Sequence, residues 1–318
     1  MASMRILAAV LLFAFGAAHA AWPEKPIRFV VPSAPGGSPD VLMRILAQQL
    51  SVQLGVAFVI DNKPGGSYVP GTMDIVCALS DGYTLGYGNI VSLAINYSLL
   101  QKVPYLVERD LTLVSNCVNV FNMLAVSNDL PVRTVPELIA YARKNPGKLT
   151  NGSSGNGTTG HLGGELFKMM TGTAIVHVPY KGSPQAINDL MAGRIQVMFD
   201  NVPSIGPHVK AGRVRGLGVS SLVRAAQFPQ IPAIAESVPG YQTNSWGGVI
   251  GPAGLPPEIV KRLAAEIRKA LAAPEVAERY RILDTEPDGS GPEAFAELVR
   301  RETRKWGDVV SRSGAKVD

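Results

Sequence analysis

Ser153-Ser154-Gly155-Asn156-Gly157-Thr158-Thr159-Gly160-His161-Leu162 contains a G-x-G-x-x-G at Gly155, Gly157 and Gly160. Lys148 to Gly152 reads as a short strand before it, and His161 to Met170 as a helix after it. The stretch is therefore a strand-to-helix turn. Such a turn gathers backbone N–H groups at the positive end of a helix dipole, which binds an anion without any Lys or Arg. A dinucleotide site would also need an acidic residue at the end of the next strand, about twenty residues on, for the ribose hydroxyls. That strand ends Val176-His177-Val178-Pro179-Tyr180-Lys181, with no Asp or Glu. The turn calls for an α/β fold and an anion, and it argues against NAD(P).

The surroundings extend the pattern. Short apolar runs at Ile27 to Val31, Val56 to Ile60, Tyr83 to Tyr87, Ala174 to Val178, Ile195 to Phe199 and Val214 to Val219 alternate with amphipathic segments. Val41, Leu42, Ile45, Leu46 and Leu50 recur at helical spacing, as do Val260, Leu263, Ile267 and Leu271. Alternating strand and helix predict parallel sheets covered on both faces. Thr134-Val135-Pro136-Glu137 and Ser290-Gly291-Pro292-Glu293 read as capping boxes.

Two further glycine-rich turns echo the first. Pro35-Gly36-Gly37-Ser38 and Pro64-Gly65-Gly66-Ser67 each follow a strand and precede a helix, so both lie on the carboxyl edge of one sheet, where open α/β sheets bind ligands. In the first, Ser38 suits the N-cap, Pro39 the N1 position and Asp40 the helix dipole.

The N-terminus reads as an export signal. Arg5 precedes the apolar run Ile6 to Ala18 and the small-x-small triplet Ala18-His19-Ala20, which predicts cleavage near Ala20/Ala21 and an exported, soluble chain. Beyond Arg5, 29 basic residues face 25 acidic ones without a run of one sign. That balance lacks the basic footprint of a nucleic-acid binder. Cys77 and Cys117 enter an oxidising compartment, where either a disulfide or two buried free thiols is open. Nearly 300 mature residues exceed one core and predict two domains, with candidate boundaries at Ser115 to Asn122 and Phe228 to Gly240.

Enzyme signatures are poor. Gly152 to Asn156 fails G-x-S-x-G at its last position. His161, His177 and His208 lack carboxylate spacing for a metal. His161, on the first turn of its helix, is a candidate ligand contact. Asp200 and Asn201 follow a strand and could orient a ligand amine or hydroxyl, or cap the next helix.

From Trp22 to the C-terminus the chain resembles the periplasmic substrate-binding receptors of tripartite tricarboxylate transporters, the Bug receptors. The resemblance rests on Trp22-Pro23-Glu24-Lys25-Pro26-Ile27, Ala34-Pro35-Gly36-Gly37, Asp61-Asn62-Lys63-Pro64-Gly65-Gly66, Asp81-Gly82-Tyr83-Thr84-Leu85 and Ser153 to Thr158. It continues through His177 to Gly182, Phe199-Asp200-Asn201, and Trp246 with Gly251-Pro252-Ala253-Gly254.

The resemblance implies a two-lobed α/β fold of the type II periplasmic-binding-protein class, each lobe a mostly parallel sheet flanked by helices, with the ligand cleft between lobes. It implies a monomeric, non-catalytic receptor without cofactor or metal that hands a small organic carboxylate to integral-membrane transporter subunits. Its lobes would be residues 21–121 and 231–318 for the first and 122–230 for the second. One carboxylate would lie against Ser33, Ala34, Pro35, Gly36, Gly37 and Ser38 with Gly65, Gly66 and Ser67. The other end of the ligand would meet Ser154, Asn156, Gly157, Thr158 and Thr159, with Tyr180 and Asp200 lining the cleft. Pro39, and Tyr68 with Val69, depart from the usual loops, and Asn89 stands in a variable pocket segment as a specificity residue. A β-branched residue at Gly157 is expected to block backbone approach to the anion. The rival readings are an NAD(P)-linked enzyme and a sensor module reporting to a membrane kinase.

Overall fold

The computed structural model describes residues 22–313, so the export signal read in residues 1–20 lies outside the described residues. Ten strands form one curled sheet. They are β1 (Ile27–Val31), β2 (Phe58–Asn62), β3 (Thr84–Asn89), β4 (Leu111–Val126), β5 (Leu149–Ser153), β6 (Ile175–Pro179), β7 (Val197–Asn201), β8 (Arg215–Val219), β9 (Asn244–Pro252) and β10 (Thr285–Pro287).

The parallel part is where strand and helix alternate in the sequence. β1 lies between β2 and β3, parallel to both, and β5 lies likewise between β6 and β7. Helices Ser38–Leu54 and Thr159–Thr171 leave the two central strands β1 and β5. The turns after β1 and β5 thus occupy equivalent places in two similar units.

Antiparallel strands join the units. β4 pairs with β9 from Leu111 to Phe121, then with β7 from Asn122 to Val126. The segment Ser115 to Asn122, read as a boundary, is the middle of this strand. At Asn122 it leaves one group of strands for the other. Two register shifts against β9, between Leu113 and Ser115 and between Asn116 and Val118, bend it on the way.

Each unit is covered on both faces. Leu42, Ile45, Leu46 and Leu50 of the first long helix pack with Ile259, Leu263, Ile267 and Leu271 of helix Pro257–Ala272 over β1 and β3. Each such side chain contributes roughly 1.5–3 kcal/mol on burial. The opposite face is closed by Val91–Ile95 and helix Pro292–Ser313, around Trp246 and Phe295. Two further cores flank β7 in the other unit, one around Phe167, Phe199 and Tyr241 and one around Met198, Ile205 and Phe228.

Local details correct the sequence reading. Ser38 is already helical and Gly37 is the cap residue, so Pro39 sits at the second position rather than the first. Thr134 Oγ1 accepts from Glu137 N–H as a cap should, but the Glu137 carboxylate accepts from Arg133 N–H, one residue before the box. Cys77 is exposed and Cys117 buried, and the two are unpaired. Among the described residues, no helix is long and apolar enough to cross a membrane.

Candidate functional site

The first unit offers two turns. Asp40, buried on the first turn of its helix, accepts from Gly36 N–H (2.9 Å), Asn62 Nδ2 (2.9 Å) and Arg44 Nε (2.9 Å). Burial raises its pKa, but the bonds from Arg44, Gly36 and Asn62 outweigh that and leave it lowered. Asn62 also donates to Ser33 O (3.0 Å), so one acid ties both glycine-rich loops together. Asp40 therefore does more than favour a helix dipole.

The second turn is strained. Gly65, Gly66, Ser67 and Tyr68 follow one another at φ 97°, 52°, 50° and 67°. Left-handed backbone at Ser67 and Tyr68, which carry side chains, costs of order 1–3 kcal/mol each. Asn96 Nδ2 holds Ser67 O (2.9 Å) and Thr72 Oγ1 holds Tyr68 O (2.9 Å). The result aims Tyr68 into the cleft, where Asn89 and Ser154 lie close to its hydroxyl. Burial, with the Asp200 charge beside it, pushes the phenol up to about 12 despite those polar neighbours.

The opposite jaw is the turn after β5. Thr158 Oγ1 accepts from His161 N–H as the helix cap and donates to Gly155 O (2.8 Å). His161 is engaged within its own unit. It is buried, its Nδ1 accepts Gly157 N–H (3.0 Å), and its ring stacks on His177 with centroids 3.9 Å apart. His177 Nε2 in turn meets Ser153 Oγ at 2.7 Å.

The three glycines of the motif have three different tasks. Gly155 takes φ 137° in the turn; Gly157, at φ 76°, comes so close to Leu99 of the first unit that a Cβ would lie 2.2 Å from its Cδ2. A Cβ on Gly160 would lie 2.2 Å from the carbonyl oxygen of Phe199 in β7, so only glycine lets the helix seat on the strand. A β-branched residue at Gly157 would thus strain the backbone and strike Leu99. It does not isolate anion binding, since that N–H is already taken by His161.

Both units face a cavity of about 200 Å³. Ser33, Ala34, Gly65, Gly66 and Ser67 line it from one side, Ser154, Asn156, Thr158 and Tyr180 from the other. Ser67 Oγ donates to Asn156 O (3.1 Å) across the gap. An inner cavity of about 20 Å³ shares Ser33, Tyr68, Ser154 and Thr158 with it and adds Ser38, Asn89, Thr159 and Asp200. Pro35, Gly36, Gly37, Gly157 and His161 line neither. The first two are exposed on the turn, and the others shape the loops from behind.

Several lining residues escaped the sequence reading. Tyr68 lines both cavities, although the sequence marks it only as a departure from the usual loop. Lys181 and Gly182 line the outer cavity as well. Gly182 meets Ala34 across the cleft, where a Cβ would lie 2.6 Å from Ala34 Cβ. Tyr180 turns its hydroxyl away to Asp189 (2.8 Å) and presents its ring.

The histidine pair predicts a pH effect. Burial, and less strongly the neighbouring His161 and Lys168, pull His177 down from 6.5 to about 3, and burial also lowers His161. A depressed histidine is neutral when folded, so between pH 6.5 and about 3 the unfolded chain takes up more protons and stability falls as pH falls. Asp200, raised to about 6 from 3.8, acts oppositely, losing stability as pH rises through that interval. The difference in urea midpoint between wild type and His177→Asn should therefore be largest at pH 7 and shrink by pH 4. A constant difference would assign His177 no part in the acid limb.

The profile of the tripartite tricarboxylate transporter family receptor matches residues 42–315. A UPF0065 protein of Pseudomonas sp., from the tcbD-tcbE intergenic region, is 39% identical over 91% of this chain and 87% of its own length. An R. palustris protein with adipate superposes with TM-score 0.91 at 38% identity, over 93% of this chain and all of that one. MatC from Rhodopseudomonas palustris with bound malate gives 0.86 at 26% identity, over 91% of this chain and all of that one. A Polaromonas TctC solute-binding protein without ligand gives only 0.65 at 25%, over 92% of this chain and 99% of that one.

Proposed function

The chain belongs to the tripartite tricarboxylate transporter receptor family, and from that premise we propose that it is a periplasmic receptor whose two lobes close over a small carboxylate. The closed form would present that acid to integral-membrane transporter subunits. The observation that carries this reading is the 200 Å³ cavity walled by both units and bridged by Ser67 and Asn156. Its outer walls offer hydroxyls, amides and backbone at strand-to-helix turns, with Lys181 as their charged member.

Closure is a hinge motion in which the ligand shifts an open-closed equilibrium. The proposed lobes are residues 22–121 and 244–313 for the first and 122–243 for the second. The return is placed later than residue 231 because Ile231, Ile234, Val238 and Tyr241 pack in the cores around β7. Export of the chain after cleavage near Ala20/Ala21, a monomeric state and a non-catalytic role belong to the same proposal.

A dinucleotide fits poorly. The cavity is smaller than the roughly 300–1,000 Å³ of ordinary ligand pockets, and Gly157 N–H is engaged by His161. The test is mass spectrometry of small molecules carried through purification, followed by a thermal-shift screen of mono-, di- and tricarboxylates with NAD and NADP. A ligand at 100 times its Kd stabilises by about 2.7 kcal/mol, which the screen resolves. Stabilisation by an acid supports the receptor, and stabilisation by NAD or NADP alone overturns it. Loss of uptake on gene deletion separates transport from sensing.

A further inference from the structure

The two charged residues that line the adjoining cavities stand in different chambers. Lys181 lines the outer one and is exposed at its rim. Asp200 lines the inner one and is 3% exposed. Its Oδ1 accepts from Ser183 Oγ (2.8 Å), while its Oδ2 is buried without a hydrogen-bond partner. Ser204 and the Asn201 N–H come close enough to lower the carboxyl's pKa, yet neither reaches hydrogen-bond geometry with Oδ2. A buried carboxylate oxygen left without a donor is costly, so the inner chamber calls for a donor beside Asp200.

Size limits what that donor can be. One water-sized group needs about 10–15 Å³ by this kind of measure, and the inner cavity offers about 20 Å³. A hydroxyl or an ammonium fits; a second carboxylate, with two oxygens, does not. Charge agrees with size, because a carboxylate there would meet the Asp200 carboxylate. Asn89 already spends its Oδ1 on Val91 and Ser92 N–H (3.0 and 3.1 Å), so it does not compete for the same donor.

We propose that the inner cavity is a donor-selective subsite, in which Asp200 Oδ2 accepts from a hydroxyl or ammonium on the ligand. The ligand's carboxylate then remains in the outer cavity with the backbone turns and Lys181. This rests on the receptor reading above and narrows its ligand to a hydroxy- or amino-carboxylate. This makes Asp200 a specificity residue; the cap residue of the helix after β7 is Asn201.

Calorimetric titration of the full chain at pH 8, above the value of about 6 to which burial lifts Asp200, tests this. The probes are two series: butyrate, 4-hydroxybutyrate, 4-aminobutyrate and succinate, then hexanoate, 6-hydroxyhexanoate, 6-aminohexanoate and adipate. In at least one series a hydroxy or amino acid should bind at least tenfold tighter than both the plain acid and the diacid. Asp200→Asn should shrink that preference to about threefold or less. Binding of one or more acids without a tenfold preference for a hydroxy or amino acid in either series would overturn the proposal with the receptor reading intact, the inner cavity then holding only water. Silence from every acid would overturn both. The wild-type series decides the matter even if Asp200→Asn fails to fold.

Discussion

Valine at Gly182 should weaken ligand binding tenfold to a hundredfold while the unliganded protein keeps its melting temperature within a few degrees. Gly182 has φ 167°, extended backbone that any residue adopts, so the substitution brings no conformational strain. Its added Cβ would stand 2.6 Å from Ala34 Cβ, a contact made only across the cleft. Overpacking of this kind costs about 1–3 kcal/mol, and each 1.4 kcal/mol is a factor of ten. Because the clash exists only when the lobes meet, its cost falls on closure and hence on affinity. Titration of wild type and Gly182→Val with the same acid checks this. Equal affinities would mean that binding does not bring these two loops together.

Valine at Gly160 should fail differently, by destabilising the fold itself. Here the obstacle is the main-chain oxygen of Phe199, 2.2 Å from the added Cβ, in the middle of a sheet that cannot yield. The cost belongs at the upper end of overpacking, about 3 kcal/mol or more. At roughly 2–4 °C per kcal/mol for a chain of this order of size, the melting temperature should fall by about 6–12 °C. Thermal unfolding without ligand reads the effect. Since the open and closed forms both contain this helix-strand contact, the loss should persist in the absence of any acid. An unchanged melting temperature would remove the packing role assigned to the third glycine of the motif.

These two glycines mark the limit of what the sequence discloses. Gly160 was legible, because a glycine three residues after Gly157, at the start of an amphipathic helix, has an interpretable place in a strand-to-helix turn. Gly182 was not, because its partner Ala34 lies in the other lobe and the contact depends on tertiary arrangement. The same distinction separates Ser154, Asn156 and Thr158, found from their turn, from Tyr68, whose role depends on a run of left-handed backbone reaching across to Asn89 and Ser154. His161 illustrates a related point. Its position on the first turn suggested a ligand, but Gly157 N–H and the His177 ring claim it.

The strands show a similar division. β1, β3, β6 and β7 begin within two residues of the apolar runs that predicted them. β4 was hidden by Ser115, Asn116, Asn119 and Asn122, whose spacing is broken by the two register shifts and so loses the period of two. Asn116 Nδ2 donates to Asp288 Oδ2 (2.9 Å), a partner 172 residues away. β9 was hidden by Gly247 and Gly248, which weaken a strand pattern. A Cβ at Gly248 would lie 1.9 Å from Ser115 O, so the residue that erases the strand signal is the one that lets β9 approach β4.

Closure of two lobes on a carboxylate is tested most directly by small-angle X-ray scattering of the wild type with and without the acid selected by thermal shift. The radius of gyration should fall on adding that acid, and Gly182→Val should show a smaller fall at the same occupancy. An acid that saturates the wild-type protein and leaves its scattering curve unchanged would contradict the account.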